Sequence, residues 1–251
     1  MLIFGSSRAI HHYNPRILTD SLGLTCYNCG QDGNGSILHY GRLLMIEERY
    51  HPQVLIYDIT SGFDLLAGDN RKYLGWLKAY YDRNGIKEIF TSVDEKEQWK
   101  MLSSMYRYNS KFIQIVSDFI HPIQSLGYQG FRPLEGRMNT MKIGRTEEKA
   151  TQYTFDELKL IYLKKFIDLC HKNTLLVFVV SPMWYGIPPE ELYPIRNICK
   201  QEKIIFLDYS NDSKYVHNNE YFKDGAHLNA KGADEFTRDL IQGLKQLDVL
   251  N

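Results

Sequence analysis

The run TLLVFVVSP (residues 174–182) is apolar at every position from Leu175 to Val180 and stops at a Ser-Pro pair. A strand with one wet face alternates between apolar and polar residues. A run this continuous reads as a strand covered on both faces, as in the parallel sheet of an α/β protein. QVLIYDI (53–59) has the same character, and LIFG (2–5), LTCYN (24–28) and KIIFLDYS (203–210) are shorter members of the set. Helical stretches alternate with them. NPRILTDSLG (14–23) reads as a short helix closed by Gly23. SILHYGRLLMIEERYH (36–51) sets Ile37, Leu38, Leu44 and Met45 at helical spacing behind a serine. PPEELYPIRNICKQEK (188–203) is acidic at its start and basic at its end, which suits the helix dipole. NAKGADEFTRDLIQGLKQL (229–247) is amphipathic, with Asn229 placed to cap it. This order predicts a three-layer α/β/α sandwich around a flavodoxin-like, mainly parallel five-stranded sheet, with the site at the carboxyl ends of the strands.

A long insert separates the third and fourth strands, from about residue 65, and its last part (154–172) reads as the helix feeding strand four. Residues 65–150 hold 12 aromatics, with 14 basic against 10 acidic residues. Within it, 94–120 looks helical, and 127–150 is glycine-rich and basic and reads as loop. An aromatic, basic insert at this level of the sheet is expected to sit over the site as a cap. The whole, residues 1–251, reads as one domain.

The chain carries 30 basic and 30 acidic residues, so no general basic surface for nucleic acid is expected. No apolar run reaches the roughly 18 residues a membrane span needs. Met1 leads directly into the first strand, with no charged leader or cleavage site. That start looks clipped, which leaves cell envelope, periplasm and cytoplasm all open as compartments. Cys26 and Cys29 form a CxxC, but residues three apart on a strand point to opposite faces and no second CxxC completes a zinc site. They are expected to be packing residues.

Three short patterns carry chemistry. GSS (5–7) follows the first strand and places the Ser7 hydroxyl on a turn at the sheet's carboxyl edge. A serine needs a histidine base, itself oriented by a carboxylate. DGAH (224–227) supplies Asp224 and His227 just before the last helix, close enough in sequence to face one spot. NCGQDGNG (28–35) is a glycine turn after the second strand. Together, in this order and at these boundaries, they resemble the SGNH (GDSL-type) hydrolase family, over the whole chain apart from the insert. The GSSR form of the first pattern resembles envelope-associated relatives that handle acyl groups on cell-surface polymers. The resemblance implies Ser7 as nucleophile, His227 and Asp224 as its triad partners, and the N–H groups of Ser7 and Gly33 as receivers of the oxyanion. It implies no cofactor and no metal.

One pattern departs. After the third strand the family has a turn with an asparagine, whereas this chain has YDITSGFD (57–64). Thr60 or Ser61 falls near that place, and Thr60, or Asn34 from the second turn, could donate to the oxyanion instead. Asp58 stands inside a buried strand and needs a partner; Arg8 is expected to pair with it and brace the nucleophile turn. His11 and His12 are poorly placed to share one ion, because neighbours on a helix point about 100° apart. One is expected to pack and the other to see solvent. Trp184 and Tyr185, just past the fourth strand, are candidates to line a substrate pocket.

The expected activity is that of a serine esterase or acyl-hydrolase on an O-acylated, by resemblance O-acetylated, carbohydrate. Two alternatives stand beside it: an O-acyltransferase on a cell-surface glycan, and a ligand-binding relative weakened or silenced by the missing asparagine.

Overall fold

A computed structural model describes residues 1–108, 116–117, 119–120, 127–139, 152–170 and 174–247. Five strands form one all-parallel sheet: β1 (Leu2–Gly5), β2 (Tyr27–Asn28), β3 (Val54–Asp58), β4 (Leu175–Val180) and β5 (Ile205–Asp208). Their spatial order is β2-β1-β3-β4-β5, the flavodoxin-like arrangement the sequence predicts. The register aligns Gly5 with Asp58, Asp58 with Val179 and Val180 with Asp208, so the strands end along one rim.

Period-two alternation sends the strand side chains into two cores. Leu2, Phe4, Leu55, Tyr57, Phe178 and Val180 face α3 (Ser36–Glu47), α8 (Glu157–Cys170) and α9 (Tyr193–Glu202). Ile3, Ile56, Val177 and Val179 face α1 (Ser7–His12), α2 (Pro15–Leu22) and α10 (Ala230–Gln246). Each large apolar side chain fully buried this way stabilises the fold by about 1.5–3 kcal/mol. Cys29 belongs to the first core and Cys26 to the second, as their spacing required. Both are unpaired, and burial pushes the Cys26 thiol up to about 12.

The caps follow the sequence. Asn14 accepts from the Arg16 N–H at the start of α2, and Gly23 ends that helix in the left-handed region at φ +68°. Asn229 accepts from the Gly232 N–H at the start of α10. Pro194 lies in the first turn of α9, and the preceding Pro189–Leu192 coils as a 3₁₀ turn, so the helix expected over 188–203 is in two pieces.

The insert divides its work. Its first part folds as two 3₁₀ turns (Asn70–Trp76, Lys78–Tyr80), then α5 (Ile86–Val93), α6 (Glu97–Lys100) and α7 (Ser104–Tyr108), after a short α4 (Ser61–Asp64). Tyr73, Leu74, Leu77, Ile86, Ile89 and Phe90 pack there against Ile37 and Leu38 of α3, forming a third core. Residues 94–120 are therefore not one helix: the chain turns at Met101–Ser103, and 109–115, 118 and 121–126 lie outside the described residues. Residues 127–139 return to the rim as an irregular strap. Asn28 N–H donates to Gln129 O, Arg132 N–H to Ile10 O, and Met138 N–H to Phe222 O. The loop expected over 140–150 lies outside the described residues.

Candidate active site

Gly5 is the last residue of β1 and has φ +139°, a conformation side chains resist. A Cβ there would also lie 2.7 Å from Asp58 O. Only glycine lets the chain turn this tightly against β3. Ser6 then caps α1, and Ser7 opens it, half-buried at the rim.

His227 reaches the same point from the far end of the chain. Its Nε2 lies 2.8 Å from Ser7 Oγ. Its Nδ1 lies 3.0 Å from both Asp224 oxygens, so Nδ1 carries the proton and Nε2 is left to accept from the Ser7 hydroxyl. Asp224 Oδ1 also accepts the N–H groups of Ala226 and His227, each at 2.9 Å. Burial works to raise the Asp224 carboxyl, but the bonds from His227 and these N–H groups prevail and hold it below its ordinary value. The carboxylate is therefore ionised and bound to the imidazole near neutrality.

Under the Ser7 turn lies a buried polar network. Arg8 Nε stands 3.5 Å from Asp58 Oδ2, both side chains almost wholly enclosed. Arg8 also donates to Ser181 O at 3.3 Å and to Ile59 O. Asp58 Oδ1 accepts from Tyr13 Oη at 2.7 Å and from the Ser181 N–H at 2.9 Å. Oδ2 makes no hydrogen bond and is balanced by the Arg8 charge alone. Burial raises the Asp58 carboxyl, against the pull of Arg8 and the hydrogen bonds.

Thr60 belongs to this network and is not turned to the Ser7 hydroxyl. Its Oγ1 lies 2.7 Å from Ser6 Oγ and accepts from Arg8 Nε at 3.3 Å. Ser61, the other substitute for the asparagine, donates to Glu191. Beneath them Asp64 accepts from the Thr60 N–H and from Tyr57 Oη, each at 2.7 Å, and burial pushes its carboxyl up to about 7.

The second turn is pressed onto the third. A Cβ on Gly35 would lie 2.2 Å from Phe63 O. Gln31 N–H donates to Gly5 O at 2.9 Å, which ties this turn to the end of β1. Gly33 sits at the exposed tip with φ +66°. Asn34 is buried and spends one amide hydrogen on Asp32 O at 2.6 Å.

His12 packs, as one of the pair was expected to, whereas His11 is mostly covered and hydrogen-bonded and does not stand open to solvent. His12 is fully enclosed: its Nε2 accepts from the Leu228 N–H at 3.0 Å, so its Nδ1 carries the proton and meets Ser181 Oγ at 3.0 Å. Burial, then the Arg8 charge, lower its pKa and keep it neutral. His12 thereby anchors the residue next to His227. The sequence offered no signal for this, because the partner lies 216 positions away. His11 lies beside the site, its Nδ1 donating to Arg132 O of the strap at 2.6 Å and its ring edge-on to that of His227 at 5.5 Å.

Tyr185 is exposed and borders a cavity of about 410 Å³ with Arg137, Met138, Lys223, Asp224 and Gly225. Trp184 supports this wall from behind. Its Nε1 donates to Asn219 Oδ1 at 2.8 Å, its ring packs between Tyr185 and His217, and its N–H donates to Gly225 O at 3.1 Å.

No protein-family model matches the chain, and no curated protein does. Among solved structures it is similar to an inferred acylhydrolase from Bacteroides fragilis, at 12% identity and TM-score 0.44, over 96% of this chain and 86% of that one. It is also similar to an acetyl xylan esterase from the rumen bacterium Butyrivibrio proteoclasticus, at 11% identity and TM-score 0.42. That match covers 100% of this chain but 64% of the esterase, so the chain spans less than two thirds of its length. Likeness this loose says nothing about chemistry, and the site stands on its own geometry. Among the described residues no helix is long and apolar enough to cross a membrane.

Proposed function

We propose that the protein is a serine ester hydrolase of the SGNH type that removes acyl groups from an O-acylated carbohydrate. One observation carries this: Ser7, His227 and Asp224 form a continuous hydrogen-bonded chain at 2.8 and 3.0 Å, although Ser7 and His227 are 220 positions apart. Nothing in packing requires a hydroxyl, an imidazole and a carboxylate to line up at a half-open rim. Nucleophile activation does.

In this reading Ser7 Oγ attacks the ester carbonyl as His227 Nε2 takes its proton. Asp224 holds the Nδ1–H and stabilises the imidazolium. The new oxyanion is received by the N–H groups of Ser7 and Gly33, neither of which has a partner among the described residues. The unspent amide hydrogen of Asn34 is the third donor. His227 then returns the proton to the leaving alkoxide, and water, activated by the same imidazole, releases the acid. Thr60 acts by holding Ser6 and Arg8, so that the family's asparagine is replaced in structure but not as a donor. The strap over 127–139 and Tyr185 form one wall of the substrate site.

The test is labelling with a fluorophosphonate probe, together with release of acid from acetylated oligosaccharides. Wild type should label stoichiometrically and the label should map to Ser7. Absence of labelling, or labelling that survives Ser7→Ala, would leave only a binding module.

His12 acts here as a positioning residue for the base. His12→Phe removes the acceptor of the Leu228 N–H and is expected to lower kcat by up to about a hundredfold, the scale of an ångström's misplacement, with little change in KM. His12→Gln, whose side-chain carbonyl can still accept that N–H, should recover a large part of the loss. Equal kcat in the two variants would assign His12 to packing alone.

A further inference from the structure

A cavity of about 480 Å³, with Ser7 not among its lining residues, lies between α3, the residues that follow it and the first 3₁₀ turns of the insert. Six of its side chains stand out: Arg42, Arg49, Arg83, Tyr50, Trp76 and Tyr80. The three rings are 49%, 46% and 47% exposed, an unusual grouping of large aromatics around a concavity. Neither the cores nor the proposed chemistry uses them.

The charge is one-sided. Three guanidinium groups face the cavity against one carboxylate, Glu48, which lies 3.7 Å from Arg83. Arg42 is held in place: its Nη1 donates to Cys29 O at 2.5 Å and its guanidinium stands 5.7 Å over the Phe4 ring. A guanidinium fork matches a carboxylate in two-point fashion, and Arg49, which has no carboxylate partner among the described residues, is the one most open to such a ligand. Exposed aromatic faces match the apolar C–H face of a pyranose ring. The volume suits a small ring-bearing ligand and not a macromolecular surface.

We propose that this cavity binds a carboxylate-bearing sugar unit and serves as an accessory subsite for an acidic glycan chain. Choosing a sugar among ring-bearing anions rests on the carbohydrate-esterase reading; the anionic, ring-stacking character rests on the cavity alone. Gln31 links the two places, since it lines the cavity and its N–H holds Gly5, two residues before the nucleophile. A chain seated here would pass the turn that carries Gly33.

The experiment is calorimetric titration of the full-length Ser7→Ala protein with trigalacturonate, xylotriose and adenosine monophosphate at low and high salt. Trigalacturonate should bind at least tenfold more tightly than xylotriose, and salt should weaken it. The double variant Arg49→Gln/Arg83→Gln and the single variant Trp76→Ala should each lose about tenfold or more, with melting curves confirming that they fold. Arg49→Lys, which keeps the charge but not the fork, should show an intermediate loss. Equal binding of the two trisaccharides, no binding of either, or affinity indifferent to these substitutions would overturn the proposal. Tighter binding of the nucleotide would overturn the assignment to a sugar. Because the readout needs no turnover, failure of the wild type to label or hydrolyse esters would sink the esterase reading separately.

Discussion

Ser7→Ala is expected to lower kcat/KM for any ester the protein cleaves by about 10⁴-fold or more, and His227→Ala by a similar factor. The double variant should be no worse than either single one. On the proposed reading the reason is geometric: the hydroxyl would be a useful nucleophile only through its 2.8 Å contact with Nε2, so removing either end would remove the same step. What survives is the contribution of the backbone donors and of binding. Asp224→Asn should cost less than either, because the backbone N–H groups of Ala226 and His227 still fix the loop. Single-turnover rates on an aryl acetate would measure all four proteins. Losses that multiply in the double variant would mean that Ser7 and His227 serve different steps, and a Ser7→Ala rate within tenfold of wild type would remove the nucleophile altogether.

The second large effect concerns stability. Asp58→Ala is expected to destabilise the fold by about 3–5 kcal/mol, because it leaves the Arg8 charge buried without its counter-ion. Tyr13 Oη and the Ser181 N–H would lose their acceptor in the same step. In a domain this size such a loss lowers the melting temperature by roughly 10 °C or more. Asp58→Leu combined with Arg8→Met should be milder than Asp58→Ala, since no charge is then stranded. Its activity should stay low, because Arg8 also holds Thr60 and Ser181 O. Asp58→Asn gives the sharpest reading: it keeps the shape and loses the charge. Unchanged melting and unchanged turnover in that variant would show that the ion pair braces nothing.

The strands were legible where a residue's fate depends on its nearest neighbours in sequence. The runs 174–182 and 53–59 are covered on both faces, and their composition says so. β2 was only half legible. LTCYN suggests five residues, yet the strand is Tyr27–Asn28, because an edge strand beside a short β1 finds few partners. Beyond it the chain still bonds to β1 through Cys29 and Gln31, but as a turn. The 94–120 stretch looks helical in sequence, yet the chain turns at Met101–Ser103, and Trp99, Leu102 and Met105 remain exposed in place of forming a packed stripe. The triad candidates could be named from sequence because GSS directly after β1 and DGAH just before the last helix together resemble the SGNH pattern. Thr60 could not be sorted from Ser61 or Asn34 in that way. Its hydroxyl was a free candidate donor on paper and is committed to Ser6 and Arg8 in space. His12 was invisible for the same reason, since its role is defined by a backbone N–H near the other terminus.

α1 is six residues long, with Ser7 first and His12 last, and its end is latched onto α10: Thr237 Oγ1 meets His12 O at 3.3 Å, and Asn14 donates to Thr237 Oγ1 at 3.0 Å and to Asp234 at 2.8 Å. Order of synthesis then matters. In a nascent chain β1 to β4 precede Asp224, His227 and Ala230–Gln246, so on the proposed reading Ser7 lacks its base until that later segment has docked.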